Sequence, residues 1–337
     1  MLHTSKISFP GLGIGEFEVD SVALTIFGTE IAWYALFITF GMICCIIYAV
    51  LQSKKIGVTI DDVIDFALFT IPVGVIGARL YYVFSELEFY LDKTNYDNLF
   101  QGIISIRDGG LAIYGGIIAG TITVFVVSLF KKINFFAFGD GVAPGVLLAQ
   151  GIGRWGNFMN GEAFGYETNA FCRMGLFNIN TFSEFKTHAM VYVHPTFLYE
   201  SLWNLVGVLG VYLYSRLVGK KYDGQLILLT FGWYGLGRMF IEGLRTDSLY
   251  IANTDIRVSQ LLAGIIFVVC LALLLFFAIR KPTKELYHKT PVEGQEKVEK
   301  NETPILDKIK AFFTDKKTKT SENDTTDIPE ENQENKE

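Results

Sequence analysis

The residues best placed to do chemistry lie in the stretch GIGRWGNFMNGEAFG, Gly151 to Gly165. It sets Arg154, Asn157, Asn160 and Glu162 among glycines, directly after an apolar run. Polar groups at membrane depth are costly, so they mark a site by default. A second set, Tyr234, Arg238, Glu242 and Arg245, follows in WYGLGRMFIEGLRTD. Intervals of four, four and three put all four on one helical face. Two arginines against one glutamate would leave about one positive charge on that face. Arg154 and Asn157, three apart, would share a face of their own helix. A guanidinium fork donates paired hydrogen bonds to a phosphate, so a phospholipid headgroup is the simplest ligand for such a cluster.

The elements that must carry these residues are apolar spans. Half of the 337 residues are hydrophobic, 19% are charged, and the mean hydropathy is +0.34. Spans of roughly 20 residues are read near 26–51, 60–84, 110–130, 135–158, 196–216, 224–242 and 257–279. The expected architecture is an all-α integral membrane protein: a bundle of about seven transmembrane helices over residues 1–280. Loop 159–195 would form a small extracytoplasmic head. Residues 281–337, mostly Lys, Glu, Asp, Thr, Asn and Pro, cannot bury a core and are expected to be a disordered cytoplasmic tail. Ile305 to Phe313 is its one apolar patch. The first twenty residues lack a basic start followed by an apolar run, so insertion is expected from the internal helices.

Orientation follows from basic residues at the span ends. Lys54 and Lys55, Lys131 and Lys132, Arg216 with Lys220 and Lys221, and Arg280 with Lys281 and Lys284 fall on one side of a seven-span path. That side is expected to be cytoplasmic, with the N-terminus outside. Arg154, Asn157, Tyr234, Arg238, Glu242, Arg245, Glu30, Tyr34, Tyr114 and His194 then all reach the outer level. Independent spans would have no structural reason to agree on that depth. Arg79, in the outer third of the second span, either joins them or snorkels to the interface and pairs with an acid. Asp61, Asp62, Asp65 and Asp140 are expected near the opposite surface.

The four cysteines, Cys44, Cys45, Cys172 and Cys270, show no metal spacing and no disulfide framework. A net charge of -6 argues against a nucleic-acid partner, although it averages two unlike regions. A transporter would carry internal repeats and midplane polar groups; the chain has no clear repeat. A scaffold would not require the arginine–asparagine cluster.

GRWGNFMNGEAFG resembles the signature of the prolipoprotein diacylglyceryl transferase family. The resemblance continues in GARLYYV (Gly77 to Val83), RDGGLAIYGG (Arg107 to Gly116), HPTFLYES (His194 to Ser201) and GLGRMFIEGLRTD (Gly235 to Asp247), in the family's order over residues 20–280. It implies transfer of the diacylglyceryl group of phosphatidylglycerol to the lipobox cysteine of a preprolipoprotein in a bacterial cell membrane, with neither metal nor cofactor. Carried over, Arg154 would hold the lipid phosphate and Arg238 the leaving phosphate. Asn157 and Glu162 would bind glycerol hydroxyls, with Asn160 beside them, and Gly165 would let the chain turn. Tyr34, Tyr234 and Glu242 match further family positions, and Arg245 and His194 are placed with the lipid. One departure stands out: some members carry histidine where this chain has Tyr114. An ordinary phenol, with a pKa of about 10, is a poor base near neutral pH, so His194 and Glu162 are the other candidates.

Overall fold

The computed structural model describes residues 4–92, 99–104, 109–251, 254–280 and 286–289. Ten α-helices run through them. The long ones are α1 (Trp33–Ser53), α2 (Ile60–Ser85), α5 (Ile113–Lys131), α6 (Phe135–Asn160), α8 (Thr196–Leu217), α9 (Gln225–Glu242) and α10 (Val258–Arg280). The short ones are α3 (Leu87–Leu91), α4 (Leu99–Ile104) and α7 (Ile179–Phe185). Each expected span corresponds to one long helix. Six of them are long and apolar enough to cross a membrane; α9, with Arg238 and Glu242 in 18 residues, is the less apolar seventh.

Helix α6 is the hub of the bundle. It packs on α1, α8 and α9, while α2 pairs with α5 and α10 with α9. At one end of these helices the basic residues meet the acids. Lys131 bridges Asp62 at 3.0 Å and Asp65 at 2.5 Å, and Lys220 bridges Asp140 at 3.1 Å. Asp140 also caps α9 from its neighbour, accepting from the backbone N–H groups of Gly224, Leu226 and Ile227 at 2.9–3.0 Å. A carboxylate there satisfies orphan donors and complements the helix dipole. Lys289, just beyond α10, reaches Asp62 at 2.5 Å. Of the expected tail over 281–337, residues 281–285 and 290–337, with Lys281, Lys284 and Ile305 to Phe313, lie outside the described residues, as does Arg107.

The other end carries a sheet that the helical reading did not include. Strands β1 (Thr4–Phe9), β2 (Ile14–Asp20), β5 (Met174–Phe177) and β6 (Val191–Val193) pair antiparallel in the order β2-β1-β5-β6. A separate hairpin, β3 (Val22–Ile26) with β4 (Thr29–Ala32), leads into α1 and holds Glu30. The head is therefore not the 159–195 loop alone. The N-terminal residues supply half of its sheet, and Ile7, Val19, Phe164, Leu176, Val193 and Phe197 close its core. That core sits on the first turn of α8 and the segment after α6, the two places from which the site is built.

Arg79 does not snorkel. It is under 2% exposed and donates to the backbone carbonyls of Gly102 (2.6 Å), Ile103 (3.1 Å), Gly109 and Gly110 (3.0 Å). It therefore ties α4 and the start of the 109–112 segment to α2.

Candidate active site

Arg154 sits two turns from the C-terminal end of α6. Its Nη2 lies 2.6 Å from Oε1 of Glu200 on α8. Arg238 on α9 brings Nη1 to within 2.8 Å of the other oxygen of the same carboxylate. One buried glutamate thus gathers guanidinium groups from two further helices. Glu200 is 3% exposed in its side chain, whereas Arg154 and Arg238 keep 18% and 12%. The carboxylate is sealed and the arginine side chains are partly exposed. Arg154 Nε is itself buried with no hydrogen-bond partner among the described residues.

The network extends both ways. Arg154 Nη1 donates to Asn157 Oδ1 at 3.1 Å. The amides of Asn157 and Asn160 both donate to Glu162 Oε1, at 3.0 and 3.1 Å. On α9, Arg238 Nη2 lies 2.5 Å from Glu242, and Arg245 lies 4.0 Å from the same oxygen. Arg245 forms a bidentate pair with Asp247, at 2.7 and 2.9 Å. Ser248 donates to Glu242 at 3.0 Å. Tyr234 lies close to Gln150, one turn before Arg154, and feels the charges of Glu200 and Arg238. Tyr34 of α1 lies against Gly156, where a Cβ would stand 2.6 Å from its ring, and it feels the charges of Glu162 and Arg154.

The expected excess of positive charge is not there. Arg154, Arg238 and Arg245 face Glu200, Glu242 and Asp247, three against three before Glu162 is added. Counting along one helix face sees only that helix's acids; Glu200 arrives from α8 and Asp247 from beyond α9. Affinity for an anion must then rest on aimed N–H donors rather than on net charge.

Other expected residues take different places. Tyr114, at the start of α5, has its hydroxyl 3.2 Å from Ser259 on α10. His194 places Nδ1 3.1 Å from the Tyr199 hydroxyl, which lies 3.1 Å from Cys172 Sγ. Burial pushes the His194 imidazole below its ordinary pKa, so it is neutral near pH 7. Gly165 does not turn the chain; Gly161, at φ 59°, does that at the end of α6. Gly165 is a point of close approach. It bridges to Arg245, and its N–H bonds the carbonyl of His194 at 3.0 Å. A Cβ there would stand 2.7 Å from the Cβ of His194 and 2.8 Å from the carbonyl of Leu244. His194 and Arg245 are thus held on either side of one glycine.

A sequence profile of the prolipoprotein diacylglyceryl transferase family matches residues 21–276. The chain belongs to this family. Relatives bearing the name phosphatidylglycerol–prolipoprotein diacylglyceryl transferase bear out the assignment. The Enterococcus faecalis protein is 39% identical over 275 residues, covering 81% of this chain and 95% of that one. One from Clostridium perfringens is 40% identical over 276 residues, covering 80% and 99%. The Clostridioides difficile protein is 42% identical over 245 residues, covering 73% and 90%. The chain is therefore a multi-pass membrane protein of a transferase family whose relatives here are bacterial. Glu200 was overlooked in the sequence although its signal was visible: it is the only acid in the apolar run Thr196–Leu217.

Proposed function

We propose that this chain transfers the diacylglyceryl group of phosphatidylglycerol to the lipobox cysteine thiol of preprolipoproteins, the first step of lipoprotein maturation. A carbon–sulfur bond forms to the glyceryl carbon that bore the phosphate. The carbon–oxygen bond to that phosphate breaks, and glycerol 1-phosphate leaves. The observation that carries the reading is the pair of guanidiniums from α6 and α9 on one buried carboxylate, on side chains that stay partly exposed.

In this reading Arg154 and Arg238 flank the phosphate of one lipid. Arg154 holds it in the ground state. Arg238 meets the charge that grows on the leaving group, where a preorganised donor accelerates reaction. Asn157, Asn160 and Glu162 bind the glycerol hydroxyls, and Tyr34, Tyr234 and Glu242 orient the arginines and the lipid. The thiolate is the nucleophile, so the thiol proton must leave; we assign it to His194, which burial keeps neutral. Glu200 is a positioning residue. The site end of the bundle faces outward, the N-terminus lies outside, the charged tail lies in the cytoplasm, and all seven long helices cross the membrane. The basic span ends support that orientation.

The test is direct. Purified protein in detergent, given phosphatidylglycerol and a lipobox peptide, should add one diacylglyceryl mass to the peptide cysteine and release glycerol 1-phosphate. A folded, lipid-supplied preparation that leaves the peptide unmodified contradicts the assignment.

A further inference from the structure

Below the arginine cluster, α8 and α9 are joined by two tryptophans in a reciprocal arrangement. Trp203 Nε1 donates to the carbonyl of Trp233 at 2.9 Å, and Trp233 Nε1 donates to the carbonyl of Trp203 at 2.8 Å. The indoles stack with centroids 4.4 Å apart and planes 16° apart. Each ring lies over a glycine of the facing helix. A Cβ on Gly207 would stand 2.3 Å from Trp233, and one on Gly237 would stand 2.1 Å from Trp203. The sequence places this clasp beside the site. Trp203 is three residues after Glu200, Trp233 immediately precedes Tyr234, and Gly237 immediately precedes Arg238.

We propose that the Trp203–Trp233 clasp is a positioning device that sets the register of α8 against α9, and so aims Arg238 through Glu200 at the lipid phosphate. Apolar side chains interlocked between two helices already limit sliding and rotation. Paired N–H to carbonyl bonds and facing glycines fix both the axial offset and the rotation. The Glu200–Arg238 contact, 2.8 Å long, tolerates little of either motion. Small displacements of a catalytic group carry large rate penalties, about a hundredfold for 1 Å. The inference rests on the proposed role of Arg238 and adds the two indoles that make it possible.

Phenylalanine at either position keeps a stacking ring and removes the N–H. Trp203→Phe and Trp233→Phe should each lower kcat for the lipobox peptide about tenfold, with the lipid KM changed less than about twofold. The double variant should be no worse than the poorer single one, because one bond pair is lost as a unit. Loss of the close indole pair should also remove an exciton couplet from the circular dichroism spectrum. The deciding measurement is a cycle in an Arg238→Lys background. If the clasp acts through Arg238, Trp233→Phe should there change kcat less than about twofold; general loosening would multiply the two losses. Should a phenylalanine variant not fold, benzothienylalanine at 233, which keeps the shape and replaces N–H by sulfur, carries the same expectations. Wild-type kcat in the folded clasp variants, or a full multiplicative loss in the Arg238→Lys background, overturns the proposal. Wild-type turnover in Arg238→Lys alone would instead count against the assigned role of Arg238.

Discussion

Glu200→Gln isolates the residue on which the two arginines converge. Glutamine preserves the shape and one carbonyl acceptor but removes the negative charge. It leaves the guanidiniums of Arg154 and Arg238, now 2.6 and 2.8 Å from that carboxylate, without their shared partner. Truncating one partner of a buried, hydrogen-bonded charge pair costs about 2–5 kcal/mol. The arginines are partly exposed, so solvent relieves some of that, and about 2 kcal/mol is the appropriate figure. At about 1.4 kcal/mol per decade this corresponds to roughly a 30-fold loss of rate. The loss should fall on kcat, through Arg238. Arg154 loses the same partner, so the lipid KM should rise alongside. Glu200→Asp keeps the charge but draws it back by about 1.5 Å, one carbon–carbon bond, so it should recover little. Steady-state transfer to a lipobox peptide, varied in lipid and peptide separately, reads both constants. Unchanged kcat in Glu200→Gln, or a loss wholly in KM, would refute the positioning argument.

Other expectations follow from neighbouring contacts. Arg154→Ala should raise the lipid KM and Arg238→Ala should lower kcat; Arg154→Lys, which lacks the fork, should recover only part of the loss. With His194 as proton acceptor, kcat/KM should fall as pH drops through an imidazole pKa below about 6.5, and His194→Gln should both slow turnover and abolish that limb. Tyr114→Phe should retain most turnover and match Ser259→Ala, since the hydroxyl is spent on that serine; a loss confined to Tyr114→Phe would restore the phenol as base. Gly165→Ala, forcing a Cβ 2.7 Å from that of His194, should destabilise the head by about 1–3 kcal/mol, seen as a lower melting temperature with the lipid bound or absent.

The helices were legible because a span is a local property: about twenty apolar residues between charged ends state it completely. All seven long helices fall within a few residues of expectation, apart from the first, whose start at 26 proved to be strand and hairpin before Trp33. The sheet was not legible. Its strands are three to seven residues long, and β1 meets β5 some 170 residues away, so no window contains the pattern. The arginines and asparagines of the site stood out because such groups are anomalous in an apolar run. Glu200 was equally anomalous, yet its importance lies in reaching α6 and α9 at once, and only packing reveals that. The charge balance misled for the same reason. Arg79 looked like site or interface until four backbone carbonyls accounted for it.

The central claim is that Arg154 and Arg238 serve one phosphate across one carboxylate. Its most direct test is the double-mutant cycle Arg154→Ala, Arg238→Ala and both together, in kcat/KM for phosphatidylglycerol transfer by folded, membrane-inserted protein. Each single change should cost about 30-fold or more. The pair should cost far less than the product of the two, because removing either guanidinium already breaks the shared arrangement. Wild-type rates in both single variants, or a double loss equal to the product, would show that the two arginines do not act on a common group.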